Sequence, residues 1–106
     1  MFASLRKYRC RPDQVADIMH RVDEGFAPRL EGMDGFVAYE IIDCGDGTIV
    51  SWTACRDRAA CDRLVELAGE FVRDDLADFE IERIEALAGE IMVSRAREDV
   101  LVPAHA

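Results

Sequence analysis

Three aromatic side chains, Tyr8, Tyr39 and Trp52, are the ones in this sequence best suited to hold a flat organic molecule. Aromatic walls offer stacking area, and a phenol hydroxyl adds one or two directed hydrogen bonds. Packing in a core or at an interface would use the same three residues equally well. Asp75 is the candidate proton acceptor, because it falls inside an apolar helical stripe between Phe71 and Phe79. A carboxylate held among apolar side chains can act as a base. Arg29 flanks the stripe of an earlier helix and can answer Asp75 or bind an acidic ligand. Both lie near helix ends, where long side chains reach water, so a surface role fits them too.

The remaining reactive residues form no constellation. His20 lies about 140° round its helix from Val15 at about 100° per residue, facing away from the apolar stripe. His105 sits near the end of the chain. Cys10, Cys44, Cys55 and Cys61 contain no C-x-x-C pair and no Cys/His set at zinc spacing. Phosphate-binding glycine loops and Ser/His/Asp spacing are also missing. The expectation is a protein without a metal site or a cofactor.

Composition narrows the partners. Thirteen basic residues against 22 acidic ones give a net charge of -9, which disfavours a nucleic-acid backbone. From Asp57 to Glu90 there are 11 acids and 4 bases, as on a solvated helix face. The early cluster Arg6, Lys7, Arg9 and Arg11 reads as a strand with outward charged side chains, or else as an anion patch. No apolar run approaches a membrane span, and no secretory signal is evident, so the expected location is the cytoplasm. There the four cysteines would stay reduced and behave as small apolar residues.

The elements that must position these residues follow from periodicity. Residues 2–10 read as a strand, and Pro12-Asp13 opens a helix over 13–31 whose stripe includes Val15, Ile18, Val22, Phe26 and Leu30. Gly25 and Pro28 should kink its last turns. Residues 36–43 and 48–55 form two strands around the turn Cys44-Gly45-Asp46-Gly47. Asp57 caps a second helix reaching to Phe79, and a last strand covers about residues 80–95, with Gly89 as a bulge or bend. One domain over residues 1–95 and a tail over 96–106 are expected.

The order β-α-β-β-α-β is the split βαβ, ferredoxin-like pattern: an α+β fold with a four-stranded antiparallel sheet and two helices on one face. A loop centred on Gly45-Asp46 would set Tyr39 opposite Trp52, Ile41 opposite Val50 and Val37 opposite Ala54. Either face of that hairpin is then apolar, and the chain has only enough helix for one. A second copy packed sheet to sheet would cover the other, making a homodimer. Helix ends and the tail are the alternative cover. Which face meets the helices, and whether Tyr8 shares the face of Tyr39, the sequence leaves open.

The chain resembles the dimeric α+β barrel superfamily, and within it small bacterial proteins of the antibiotic-biosynthesis monooxygenase-like type. Gly35-Phe36, Ser51-Trp52-Thr53 leading to Asp57, Phe71-Val72 with Leu76, and Gly89-Glu90-Ile91-Met92-Val93 carry the likeness over about residues 3–95. The resemblance implies a dimeric barrel and, in some members, cofactor-free oxygenation of electron-rich aromatic or quinol substrates. Other members degrade haem, isomerise or dehydrate small molecules. Haem degradation in such folds uses a histidine on the second helix, and residues 57–79 contain none. RNA recognition would need a basic-aromatic third strand, which TIVSWTACR is not.

The expectation is therefore a homodimer with a cavity for a small aromatic molecule, positioned by Tyr39 and Trp52 with Asp75 as proton acceptor. The alternative is a non-catalytic binding or assembly module whose aromatic residues fill the dimer core.

Overall fold

The computed structural model describes residues 1–95; the expected tail over 96–106 lies outside them. Strand β1 (Phe2–Arg9) leads through a tight turn at Pro12–Gln14 into helix α1 (Val15–Arg21). A π-helical turn at Val22–Phe26 joins α1 to helix α2 (Ala27–Glu31). Strands β2 (Phe36–Gly45) and β3 (Thr48–Cys55) form a hairpin, followed by helix α3 (Arg58–Asp74) and strand β4 (Glu82–Glu90). The strands run antiparallel in the order β2-β3-β1-β4. This is the ferredoxin-like α+β fold, with the α1–α2 rod and α3 on one side of the sheet.

The π turn has a reason in the sequence. The buried residues Ile18, Val22, Phe26 and Leu30 recur every four positions. In a straight α-helix such a row drifts by about 40° per step, or about 120° over three steps. One extra residue in the turn takes back about 100° of that and keeps all four on the sheet. The Ala27 N–H accordingly reaches back to the Val22 carbonyl. Pro28 has no N–H to offer Glu24, so an ordinary α turn could not have been completed there.

Helix α3 starts as expected, with the Asp57 carboxylate accepting from the Ala60 N–H at 2.8 Å. It stops short of Phe79, at Asp74. Two acids, Asp74 and Asp75, oppose the negative end of the helix dipole. The turn after them, closed by Asp75 and Leu76 N–H groups on the Phe71 carbonyl, drops Leu76 into the core.

The hairpin turns on Asp46-Gly47, both at positive φ (52° and 80°), rather than on Gly45-Asp46. Those signs are what a two-residue turn matching strand twist requires. A side chain on Gly47 would collide with the Cys10 carbonyl, and the Gly47 carbonyl itself accepts from the Cys10 N–H at 2.8 Å. Cys44 and Val37 are each extra residues in β2, so the pairing shifts at both. Across the middle of the hairpin, Tyr39 therefore pairs with Thr53, Ile41 with Ser51 and Glu40 with Trp52. The expected pairing of Tyr39 with Trp52 is off by one, which puts them on opposite faces.

In β4 the irregularity falls at Ile84, between the Lys7–Glu85 and Tyr8–Arg83 pairs. Gly89 pairs regularly with Ala3, and a side chain there would meet open space, so no bulge falls at Gly89.

The two faces of the sheet differ in an unusual way. Toward the helices lie Ser4, Arg6, Ser51 and Thr53, all buried, among Tyr8, Tyr39, Ile49 and Cys55. On the opposite face Trp52, Leu5 and Leu87 form one row across β3, β1 and β4, with Ile42 and Val50 beside it. Leu5 is 38% exposed, Ile42 51% and Leu87 58%. The buried face thus carries a polar cluster and the outer face an apolar row. Among the described residues no helix is long and apolar enough to cross a membrane.

Candidate functional site

Arg6 is the centre of the site. Its position in β1 pairs with Ser51 of β3 and alternates with Leu5 and Lys7, which sends its side chain under the helices. It is 2% exposed. Nε donates to Ser51 Oγ at 3.1 Å and Nη2 to Thr53 Oγ1 at 3.0 Å. One edge of the guanidinium is thus fixed against β3. Nη1 is buried without a hydrogen-bond partner, and no carboxylate pairs with Arg6 among the described residues. The expectation that Arg6 points outward with Lys7, Arg9 and Arg11 is wrong for Arg6; Arg9 and Arg11 are exposed.

A cavity lies between this residue and the helices. Tyr8, Tyr39 and Ser51 join Arg6 on the sheet side, with Ile41 and Ile49. Ile18, Val22 and Phe26 form the wall from the α1–α2 rod; Ala68, Phe71 and Val72 form it from α3. Leu76 and Ile81 close the end. The enclosed space is small, about 40 Å³ to the centre of a water molecule, and opens outward. That is room for a few waters; a ring would need half-buried lining residues such as Ile41, Val72 and Ile81 to swing aside.

Aromatic packing sets the orientation of Tyr39. Its ring meets Phe26 edge to face at 5.6 Å, and Phe26 packs on Phe71 at 5.1 Å. Burial pushes the Tyr39 hydroxyl up to about 12, with the Arg6 charge pulling it down and Tyr8 adding a smaller upward push. Tyr39 is therefore a neutral hydrogen-bond donor at physiological pH.

The sequence-derived candidates separate into three places. Tyr8 and Tyr39 share the cavity. Trp52 is on the far face of the sheet, paired with Leu5 and Glu40, and does not line it. Arg29 and Asp75 do come together, Nη2 to Oδ2 at 3.5 Å, but in an outer cleft with Arg21, Glu24 and Gly25. Phe71 is the wall between that cleft and the cavity, and Arg29 lies over its ring at 5.8 Å. His20 is exposed and 3.2 Å from Glu24; His105 falls outside the described residues. No cluster of three metal-ligating side chains occurs among the described residues.

Cys10, Cys55 and Cys61 are buried free thiols and Cys44 is an exposed one. Burial raises Cys55 to about 12, with Cys61 alongside adding to the rise. Burial raises Cys10 and Cys61 as well, so the three buried thiols stay protonated at neutral pH.

Arg6, Ser51 and Thr53 are the residues the sequence reading missed. Their signal was the alternation Ser4-x-Arg6-x-Tyr8 and Ser51-x-Thr53, two polar rows at strand spacing. It becomes informative only once the register sets both rows facing the helices.

No protein-family model and no curated protein matches the sequence. Solved structures do match in fold. A putative antibiotic biosynthesis monooxygenase from Deinococcus radiodurans superposes with a TM-score of 0.72 at 16% identity, covering 92% of this chain and 98% of that one. A dimeric ferredoxin-like protein from an uncultured marine organism gives 0.67 at 15% identity, over 91% and 97% of the two chains. SnoaB, a cofactor-independent oxygenase from Streptomyces nogalater, gives 0.62 at 14%, over 88% and 94%. The chain shares the ferredoxin-like fold of these proteins, and at 14–16% identity the likeness is one of fold.

Proposed function

We propose that this protein is a cofactor-independent, monooxygenase-like protein that acts on a small aromatic or quinol-type molecule held between sheet and helices. The observation that carries this reading is the cavity itself. Apolar and aromatic walls converge there on a few polar groups, namely Arg6, Tyr8, Tyr39 and Ser51. A module whose aromatic residues merely fill a core would leave the partnerless Nη1 of Arg6 without a reason. The oxygenase among its structural neighbours supports the same reading by fold analogy.

The chemistry balances without a further reductant. A ring CH₂, or a phenol reacting through that tautomer, gives four electrons to one O₂, yielding a ring C=O and one water. In this reading Tyr8 and Tyr39 orient the substrate oxygen and the apolar walls exclude bulk water from the reacting carbon. Asp75, ion-paired to Arg29 in the outer cleft, serves the surface and not the reacting carbon.

The working unit in this proposal is a homodimer, joined through the exposed row Trp52, Leu5 and Leu87. An apolar face of this kind on a soluble chain marks an interface, and a structural neighbour is dimeric. The buried free thiols fit a cytoplasmic location.

Oxygen uptake with a panel of naphthols, anthrones and quinols tests the proposal. A substrate-dependent rate well above the uncatalysed blank is expected for at least one compound. Saturable binding with no turnover across the panel would sink the enzymatic half.

A further inference from the structure

A buried guanidinium is costly to desolvate, and chains usually pair it with a carboxylate. Arg6 has only two neutral hydroxyls. Two buried side-chain polar atoms lack a partner among the described residues, Arg6 Nη1 and Gln14 Oε1. Of their residues, Arg6 alone lines the cavity. Side-on hydrogen bonds from Nε and Nη2 to β3 leave Nη1 on the other edge of the planar group. Tyr39, with its neutral donor hydroxyl, and Tyr8 line the same cavity as Arg6 from the same sheet face. The site thus offers a positive charge and hydrogen-bond donors, set in apolar walls, with no negative charge to balance them.

We infer that the cavity recognises a ring-bearing anion, whose ionised oxygen sits on Nη1 of Arg6 and accepts a hydrogen bond from the Tyr39 hydroxyl. This rests on the cavity being the ligand site and adds the charge of the ligand to that reading. The occupant brings the counter-charge that the protein omits. A preorganised cation in a low-dielectric pocket favours the ionised over the neutral form of the same molecule. Two chemistries supply such an oxygen on an apolar ring, a phenolate or enolate and a carboxylate.

Calorimetry on the intact protein at pH 7.5 (about 2.5 units below the reference pKa of tyrosine) separates them with two matched pairs. One pair is 2-hydroxy-1,4-naphthoquinone, ionised at that pH, against its methyl ether. The other is 2-naphthoate against 2-naphthamide. At least tenfold tighter binding of the anion is expected in one pair or both, and the pair that shows it names the source. The preference should vanish in Arg6→Met, with binding of the neutral partner retained. Where Arg6→Met does not fold, the guanidinium ¹⁵N signals of Arg6 in the wild-type protein give the same answer, shifting with the anion and not with its neutral partner.

Equal affinity within both pairs overturns the inference and leaves the cavity reading standing. A preference that survives Arg6→Met, or an anion that leaves the Arg6 signals unmoved, also overturns it, since the anion then sits elsewhere. Failure of all four compounds to bind overturns the cavity reading and the inference with it.

Discussion

Tyr39 and Trp52 occupy diagonal positions of the same hairpin, because Tyr39 pairs with Thr53 and Trp52 with Glu40, and they point to opposite faces of the sheet. Tyr39 looks into the cavity against Phe26, while Trp52 lies in the exposed row with Leu5 and Leu87. The single tryptophan therefore reports on the outer face of the sheet and not on the cavity.

Leu87→Glu is expected to weaken the proposed dimer at least tenfold, about 1.4 kcal/mol, by placing a charge in a row that would lose its water there. Sedimentation over a dilution series should show the monomer, and Trp52 emission should shift to the red with it. An unchanged mass would put the interface elsewhere.

Phe26 touches Tyr39 and Phe71 and is 2% exposed. Phe26→Ala should cost about 3–5 kcal/mol, as truncation of a buried aromatic does. Denaturant unfolding at fixed protein concentration measures it. A cost under about 1 kcal/mol would mean that Phe26 is not part of a packed wall.

Gly47→Ala and Gly89→Ala should differ sharply. Gly47 has φ +80° and its added methyl group meets the Cys10 carbonyl, whereas Gly89 faces open space. The first should destabilise by more than about 1 kcal/mol and the second stay within about 0.5 kcal/mol of wild type.

Alkaline pH should unfold the protein through Tyr39. Burial holds its hydroxyl at about 12 in the fold, against about 10 in an unfolded chain. Between those values the unfolded state has lost the proton and the folded state keeps it, so stability falls as pH rises from about 10 to 12. Cys55, raised to about 12, acts in the same direction from about 9 upward. Tyr39→Phe should remove the first contribution. A stability profile over that range identical to wild type would show that the hydroxyl is not buried as described.

Element order, both helix starts and the apolar character of the second sheet face were legible in the sequence, because hydrophobic period and capping are local signals. The register was not. It depends on which two residues of Cys44-Gly45-Asp46-Gly47 take positive φ and on the extra residues Val37 and Cys44. A one-residue difference there moved Trp52 out of the site and left Tyr39 in it. Arg6 was hidden for the same reason: a charged residue amid Lys7, Arg9 and Arg11 reads as surface until its face is known. The end of α3 at Asp74 displaced Asp75 likewise, since the apolar period runs on to Phe79 although the helix does not.

The most direct test of the account is the methyl spectrum of the isoleucine-labelled protein during titration with a naphthol or hydroxynaphthoquinone. Ile18, Ile41, Ile49 and Ile81 line the cavity, whereas Ile42 lies on the opposite face of the sheet. Saturable shifts are expected at those four residues, with Ile42 nearly still. Shifts confined to Ile42, or no saturable shift at all, would contradict it.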